Sequence, residues 1–105
     1  MVIGRRGNTR NLGLEKADID FDTVTGLVKV DEFQNTNING VYAVGDVADD
    51  LSARTPTATM TGKILAERLF NNKPEAKMDF SQIPFVMFTL PPMSRCGMTE
   101  QEAKS

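Results

Sequence analysis

Histidine is missing from the 105-residue sequence, and cysteine occurs once, at Cys96. Without histidine, neither a Ser-His-Asp nor a Cys-His arrangement is possible within this chain. Most acid–base schemes near neutral pH lose their usual base with it. A single thiol excludes an internal disulfide, and no C-x-x-C spacing is present for a metal or a redox pair. No apolar run approaches the ~20 residues that span a bilayer, and no apolar signal core follows the N-terminus. The expectation is therefore a protein with no membrane role, cytoplasmic or in an organelle matrix and not secreted. Basic excess is lacking too. The formal net charge is −2, so the electrostatic footprint of a nucleic-acid binder is missing. The densest basic cluster, Arg5, Arg6 and Arg10, reads first as a solvated turn.

What remains is ordinary for a globular chain. Hydrophobic residues make up 40% and charged residues 25%, which argues against wholesale disorder. The length fits one small domain or parts of two, burying roughly two thirds of the surface the unfolded chain exposes. No repeat or low-complexity stretch occurs.

Along the chain, Val2 and Ile3 enter a Gly-Arg-Arg turn like the end of a strand, and residues 7–13 are a polar turn region. From Ile19 to Val30 the pattern alternates. Ile19 and Phe21 face one way; Asp18, Asp20 and Asp22 face the other and should be wet. With Thr23–Gly26 as a four-residue connection, this predicts a β-hairpin. Residues 31–40 read as loop. The short apolar run Val41–Val44, bounded by glycines, predicts a strand buried on both faces, as in a parallel sheet.

A loop over 46–54 leads to the best helix. Thr55 is the expected N-cap and Pro56 the first helical residue. Met60 with Ile64, and Ala58 with Leu65 and Leu69, make apolar stripes, with Lys63, Glu67 and Arg68 between them. Asn71, Asn72 and Pro74 end it. Residues 73–82 form a polar connector and a domain boundary. Ile83–Leu90 predicts a strand ended by Pro91-Pro92. Thr99 with Glu102 forms a capping box for a helix starting near the C-terminus. Both ends read as cut.

Two features could carry chemistry. In Gly40-Val-Tyr-Ala-Val-Gly45-Asp46 a buried strand ends at a glycine and an aspartate, and ligands of open α/β sheets sit beyond such ends. Gly45 would let a ligand approach the backbone, and Asp46 could accept hydrogen bonds from sugar hydroxyls. The plainer reading is a strand, a turn glycine and a solvated aspartate. The helix start at Thr55-Pro56 favours negative charge, or is simply an ordinary helix end.

Four ordered blocks then carry a resemblance. They are Gly4-Arg5-Arg6 with Asn8-Thr9 and Leu12-Gly13-Leu14-Glu15; Thr25-Gly26-Leu27-Val28-Lys29-Val30-Asp31; Thr36 with Val41 to Val47; and Thr55-Pro56, Gly62 and Leu65-Ala66-Glu67-Arg68-Leu69-Phe70. Together they resemble the class I pyridine nucleotide–disulfide oxidoreductases, which include glutathione reductase, dihydrolipoamide dehydrogenase and mercuric reductase. The glutathione reductase branch is the most similar. Ile83–Thr89 and Pro91-Pro92 through Gly97-Met98-Thr99-Glu100 to Ala103 resemble the opening of the family's dimerisation domain.

The resemblance implies an α/β to α+β fold. A partial FAD-domain sheet (hairpin, buried parallel strand and helix) precedes the first strand of an α+β dimerisation domain. Residues 1–72 would be the C-terminal part of the NAD(P)/FAD-binding region, with residues 1–20 leaving the NAD(P)H domain. Residues 73–82 would be a linker and 83–105 an incomplete dimerisation domain. It further implies that Gly45, Asp46, Arg54 and Thr55 contact FAD. Asp46 would bind a ribityl hydroxyl, and the helix start would face the flavin's pyrimidine edge, where reduced flavin carries negative charge. In the complete homodimeric enzyme, hydride passes from NAD(P)H through FAD to a cysteine pair and then to a disulfide.

The departures are specific. Gly7 stands where the family usually has proline. The loop after Asp46 is one residue longer than in glutathione reductase, which leaves Arg54 and Thr55 as alternative backbone contacts. The glycine-rich pyrophosphate turns, the C-x4-C pair and the C-terminal histidine-glutamate base are absent from this sequence. Cys96 reads as a small buried apolar residue, not a redox partner. The expectation is a segment that holds FAD weakly or not at all and does not turn over alone. The competing expectation is a stand-alone structural or self-associating module without cofactor. A free-standing small enzyme is the weakest reading, since the usual bases and nucleophile pairs are missing.

Overall fold

The structure is a computed structural model that describes residues 4–48, 54–81 and 83–105. The strand end expected at residues 1–3 and the middle of the loop expected over 46–54 lie outside them.

Asp22 builds the first turn. Its carboxylate oxygen accepts the N–H of Val24 at 2.6 Å and of Thr25 at 3.1 Å, an Asx turn. The Asp22 N–H donates to the Leu27 carbonyl at 2.8 Å, and Phe21 pairs antiparallel with Val28. The hairpin therefore has the four-residue connection that its sequence suggests, with Asp18 and Asp20 exposed. The chain from Gly4 to Thr9 lies against this turn. The Gly7 N–H donates to the Thr25 carbonyl at 2.7 Å, and the Thr9 hydroxyl donates to the Gly26 carbonyl at 2.8 Å. A Cβ on Gly7 would lie 2.1 Å from the Gly26 carbonyl oxygen. Glycine is thus required there for backbone-to-backbone contact, and a proline could not make the N–H bond.

Residues 31–40 are more ordered than a loop. The Asp31 carboxylate accepts from the N–H groups of Phe33 and Asn35 and from the Asn35 amide. Thr36 N–H donates to the Val41 carbonyl at 3.1 Å, and Asn35 pairs antiparallel with Tyr42. A second hairpin results, closed over residues 37–40, with Gly40 at φ +79°. This corrects the reading of Val41–Val44 as a parallel strand buried on both faces. Of these four residues only Ala43 is buried, and its N–H donates to the Gln34 carbonyl at 3.2 Å. A four-residue turn can only return the chain antiparallel, whereas parallel pairing needs a crossover of about a dozen residues. The one parallel bridge among the described residues joins Val28 to Ala48. The core is correspondingly small: Val28, Ala43 and Ala48 are buried, and Leu14, Ile19, Phe21, Val30 and Val47 pack against them.

Helix α1 runs Thr55–Phe70 and ends at Asn71, followed by Asn72 at φ +50°. Its buried face is not the expected apolar stripe. Thr57 and Thr61, one turn apart, are buried, and the Thr61 hydroxyl donates to the Thr57 carbonyl at 2.8 Å. Met60, Leu69 and Phe70 are exposed. Small threonines let the helix backbone approach closely, which a methionine face would prevent. Arg68, expected to lie between the stripes, turns inward. Its guanidinium donates to the Phe33 carbonyl at 2.6 Å and to the Asn35 amide oxygen at 2.9 Å. It also lies 5.6 Å from the ring centroids of both Phe33 and Tyr42.

The polar connector also touches the second hairpin, through an ion pair of Lys77 with Glu32 at 2.7 Å. The strand expected over Ile83–Leu90 is shorter. Strand β1 is Phe85–Met87 and pairs antiparallel with β2, Met93–Arg95, so the two prolines fall in the connection rather than at an end. Helix α2, Glu100–Lys104, has the expected capping box. Thr99 accepts from the Glu102 N–H, and the Glu102 carboxylate accepts from the Thr99 N–H at 2.7 Å. Cys96 is exposed, contrary to its reading as a buried small residue. Among the described residues no layer covers the ribbon it follows. No helix among them is long and apolar enough to cross a membrane.

Candidate functional site

The segment from Val44 to Asp46 and the start of α1 are brought together by glycine. Val44 is extended at φ −136° and ψ 156°, and Gly45, at φ +75°, opens a single 3-10 turn over Gly45–Val47. A Cβ on Gly45 would lie 3.1 Å from the Ala58 Cβ of α1. The bare face of Gly45 therefore receives the helix, whereas the sequence had suggested that it receives a ligand. Asp46 follows at once and is exposed. Ala58 is one helical turn from Arg54, whose carbonyl accepts its N–H at 2.9 Å. Asp46 and the N-terminus of α1 thus meet at one place in the fold.

The helix start differs from expectation by one residue. Arg54, extended at φ −148°, is the N-cap, so Thr55 is already helical and Pro56 stands second. The side chain of Arg54 itself does not cap this end, and Pro56 brings no N–H. The first amides of a helix have no partner within it, so those of Thr55 and Thr57 need one from outside the helix. The Arg54 side chain points elsewhere, with its guanidinium carbon 4.8 Å from the Phe85 ring centroid. Arg54 and Thr55 remain adjacent backbone candidates at the same end.

Beside Asp46 lies a cavity of about 350 Å³, lined among others by Arg5, Arg6, Asn8, Thr25 and Asp46. Arg5 and Arg6 had read as part of a solvated turn. Both are exposed, and Arg6 donates to the Thr23 carbonyl at 3.3 Å, but they share this cavity with the aspartate. Their place in the Gly-Arg-Arg block was the only signal that could have found them. The supporting turns are held by ionised carboxylates. Backbone N–H groups of Thr25 and Val24 hold the Asp22 carboxyl below its ordinary range. For Asp31, burial pushes the carboxyl up. The Asn35 side-chain amide and the N–H groups of Asn35 and Phe33 outweigh burial and leave it lowered.

Cys96 and the exposed hairpin are not brought to this corner, apart from Phe85 under Arg54. No group of three or more potential metal ligands occurs among the described residues.

A family model described as pyridine nucleotide-disulphide oxidoreductase matches residues 1–62. Two solved structures are similar over almost the whole chain. The HOCl-induced flavoprotein disulfide reductase RclA from Escherichia coli is 31% identical, with a TM-score of 0.80 over 96% of this chain. The Cu(II) complex of that reductase is 30% identical, with a TM-score of 0.84 over 98%. In both cases the chain spans 23% of the reductase's length.

Proposed function

The chain belongs to the pyridine nucleotide–disulphide oxidoreductase family, and on that premise we propose that it supplies one wall of an FAD site in an NAD(P)H-dependent disulfide reductase. The observation that carries this reading is the seating of α1 on Gly45. It sets an exposed carboxylate, Asp46, beside the N-terminus of a helix that its own N-cap side chain does not close. A carboxylate suits the hydroxyls of a sugar-like chain, and the positive end of a helix suits a ring that becomes anionic on reduction. The residues present therefore fit a flavin. Asp46 would hold its ribityl hydroxyls, and the Arg54 or Thr55 backbone would face its pyrimidine edge. When bound, the flavin supplies the hydride-accepting ring; these residues orient it and stabilise charge on it.

The chain lacks a histidine and a cysteine pair, so this segment contributes binding and part of a homodimer interface, and the redox pair comes from outside it. Changing Asp46 to Ala in the full-length reductase should lower flavin occupancy, read from the flavin absorbance of the purified protein. Unchanged occupancy removes Asp46 from the site. The 105-residue chain alone should show no NADPH oxidation with oxidised glutathione and should bind FAD more weakly than micromolar. Turnover, or micromolar binding, would overturn this division of labour.

A second reading has its own observation. Phe70, Phe88, Leu90 and Met98 are 86%, 94%, 100% and 76% exposed, apolar side chains that a second copy could cover. The isolated chain would then act as a self-associating module, and sedimentation velocity separates the two readings.

A further inference from the structure

We propose that the cavity between the start of α1 and the β1–β2 ribbon binds a phosphate group. The cavity has a volume of about 170 Å³, and its lining includes Arg54, Arg95, Phe85, Phe80 and Ser81. Two guanidinium groups from distant parts of the chain share one ring there. Arg54 lies 4.8 Å and Arg95 5.7 Å from the Phe85 centroid. Each cation is attracted to the ring, and the ring brings two like charges to the wall of one cavity, where a bound anion would offset their repulsion. Among the described residues neither arginine forms an ion pair.

Two carboxylates in this part of the chain, among the described residues, are hydrogen-bonded within their own turns. Asp79 accepts the Ser81 N–H at 2.9 Å. Glu102 is tied into the Thr99 cap and is influenced by Arg95 only through its field. Arg54 is half-buried and stands at the positive end of α1, which adds to the field. Arg95 is exposed and leaves an entrance. Guanidinium groups match phosphate oxygens with paired N–H donors. The volume admits a phosphate group but not a whole nucleotide, whose sites are of order 300 Å³ and above. The group would be the terminal phosphate of a small metabolite or cofactor. This assignment is independent of the flavin site, since it uses the Arg54 side chain and the ribbon.

Inorganic phosphate titrated into the 105-residue chain, at ionic strength held constant with sodium chloride, tests it. The readout is the arginine Nε–H resonances in nitrogen-15 spectra. Saturable shifts at two arginines are expected, and R95Q should weaken binding about tenfold, as loss of one charge-assisted pair implies. R54Q should do the same. Should R54Q disturb the start of α1, R95Q decides alone, because Arg95 is exposed and outside the helix. Shifts that do not saturate, an undiminished affinity in R95Q, or displacement by acetate at equal concentration would each overturn the assignment.

Discussion

The two ends of this chain solve the burial problem in opposite ways. Residues 4–48 with α1 are held by backbone contact. Gly7 lies flat on Gly26, Gly45 receives Ala58, and threonines form the buried face of the helix. The larger apolar side chains Leu14, Ile19 and Phe21 surround this core only partly buried. The ribbon and short helix beyond residue 83 have the apolar and aromatic residues but bury few of them: Phe88 and Leu90 are almost wholly exposed. The first region spends its sequence on close approach, which tolerates no added atom. The second presents side chains outward and tolerates nearly anything within the chain itself. Exposure of this kind acquires meaning only with a partner, whereas close approach has meaning already in the monomer.

That contrast is broken most directly at Gly7. Gly7→Ala sets a methyl group against the Gly26 carbonyl oxygen, where backbone must move, so a loss of about 3 kcal/mol is expected, enough to unfold a small domain. Urea denaturation followed by circular dichroism measures it, and a loss below a third of this would mean that the strap is not seated on the turn. Next comes Gly45→Ala, at about 2 kcal/mol, from positive φ together with the Ala58 contact. Gly40→Ala is its control. Gly40 has a similar φ of +79° but nothing within 4 Å of the added Cβ, so it should cost only about 1 kcal/mol. Equal losses at the two positions would remove the Ala58 contact from the account.

These glycines also show which parts of the structure could be read beforehand. The Asp22 turn, the end of α1 at Asn71 and the Thr99 capping box were legible, because each depends on residues three or four apart whose chemistry is local. The second hairpin was missed although Asn39-Gly40 is a turn signal; the Thr36–Val41 pairing that closes it involves no apolar alternation. The buried face of α1 was missed because threonine at Thr57 and Thr61 carries no hydrophobic signal, while Met60 and Leu69 carry one that the fold does not use here. The corner at Asp46 was legible as a motif. Its neighbours Arg5 and Arg6 were not, since only tertiary folding brings the first turn beside it.

Arg68 tests how the two hairpins are tied to the helix. Arg68→Ala removes two hydrogen bonds and the stacking on Phe33 and Tyr42, at a cost of about 1–2 kcal/mol for a partly buried, charge-assisted contact. Arg68→Lys should recover less than half, since an ammonium cannot reproduce the fork. Full recovery would reduce the role to charge alone. Acid acts more gently on the same region. Asp22 and Asp31 are lowered in the folded chain from an ordinary value of 3.8. Their contribution is therefore present above that value and is lost as pH falls through the lowered folded values. Amide exchange at Val24, Thr25 and Asn35 should quicken below about pH 4 relative to α1, once intrinsic exchange is corrected for. Constant relative protection to pH 2 would contradict the carboxylate-held turns.

The smallest effect on folding is expected at the other end, where it sharpens the comparison most. Phe88→Ser and Leu90→Ser together remove two apolar side chains that are 94% and 100% exposed. Within the monomer they bury nothing, so the urea midpoint should stay within about 0.5 kcal/mol of the parent. What should change is association. The favourable transfer of an exposed aromatic and a leucine on one connection is realised only where a second surface covers them, so removing them costs association alone. Sedimentation velocity should therefore move toward monomer while stability stays level. If stability fell with association unchanged, these side chains would have to be buried within one chain, and the outward-facing ribbon would be the wrong description of this region.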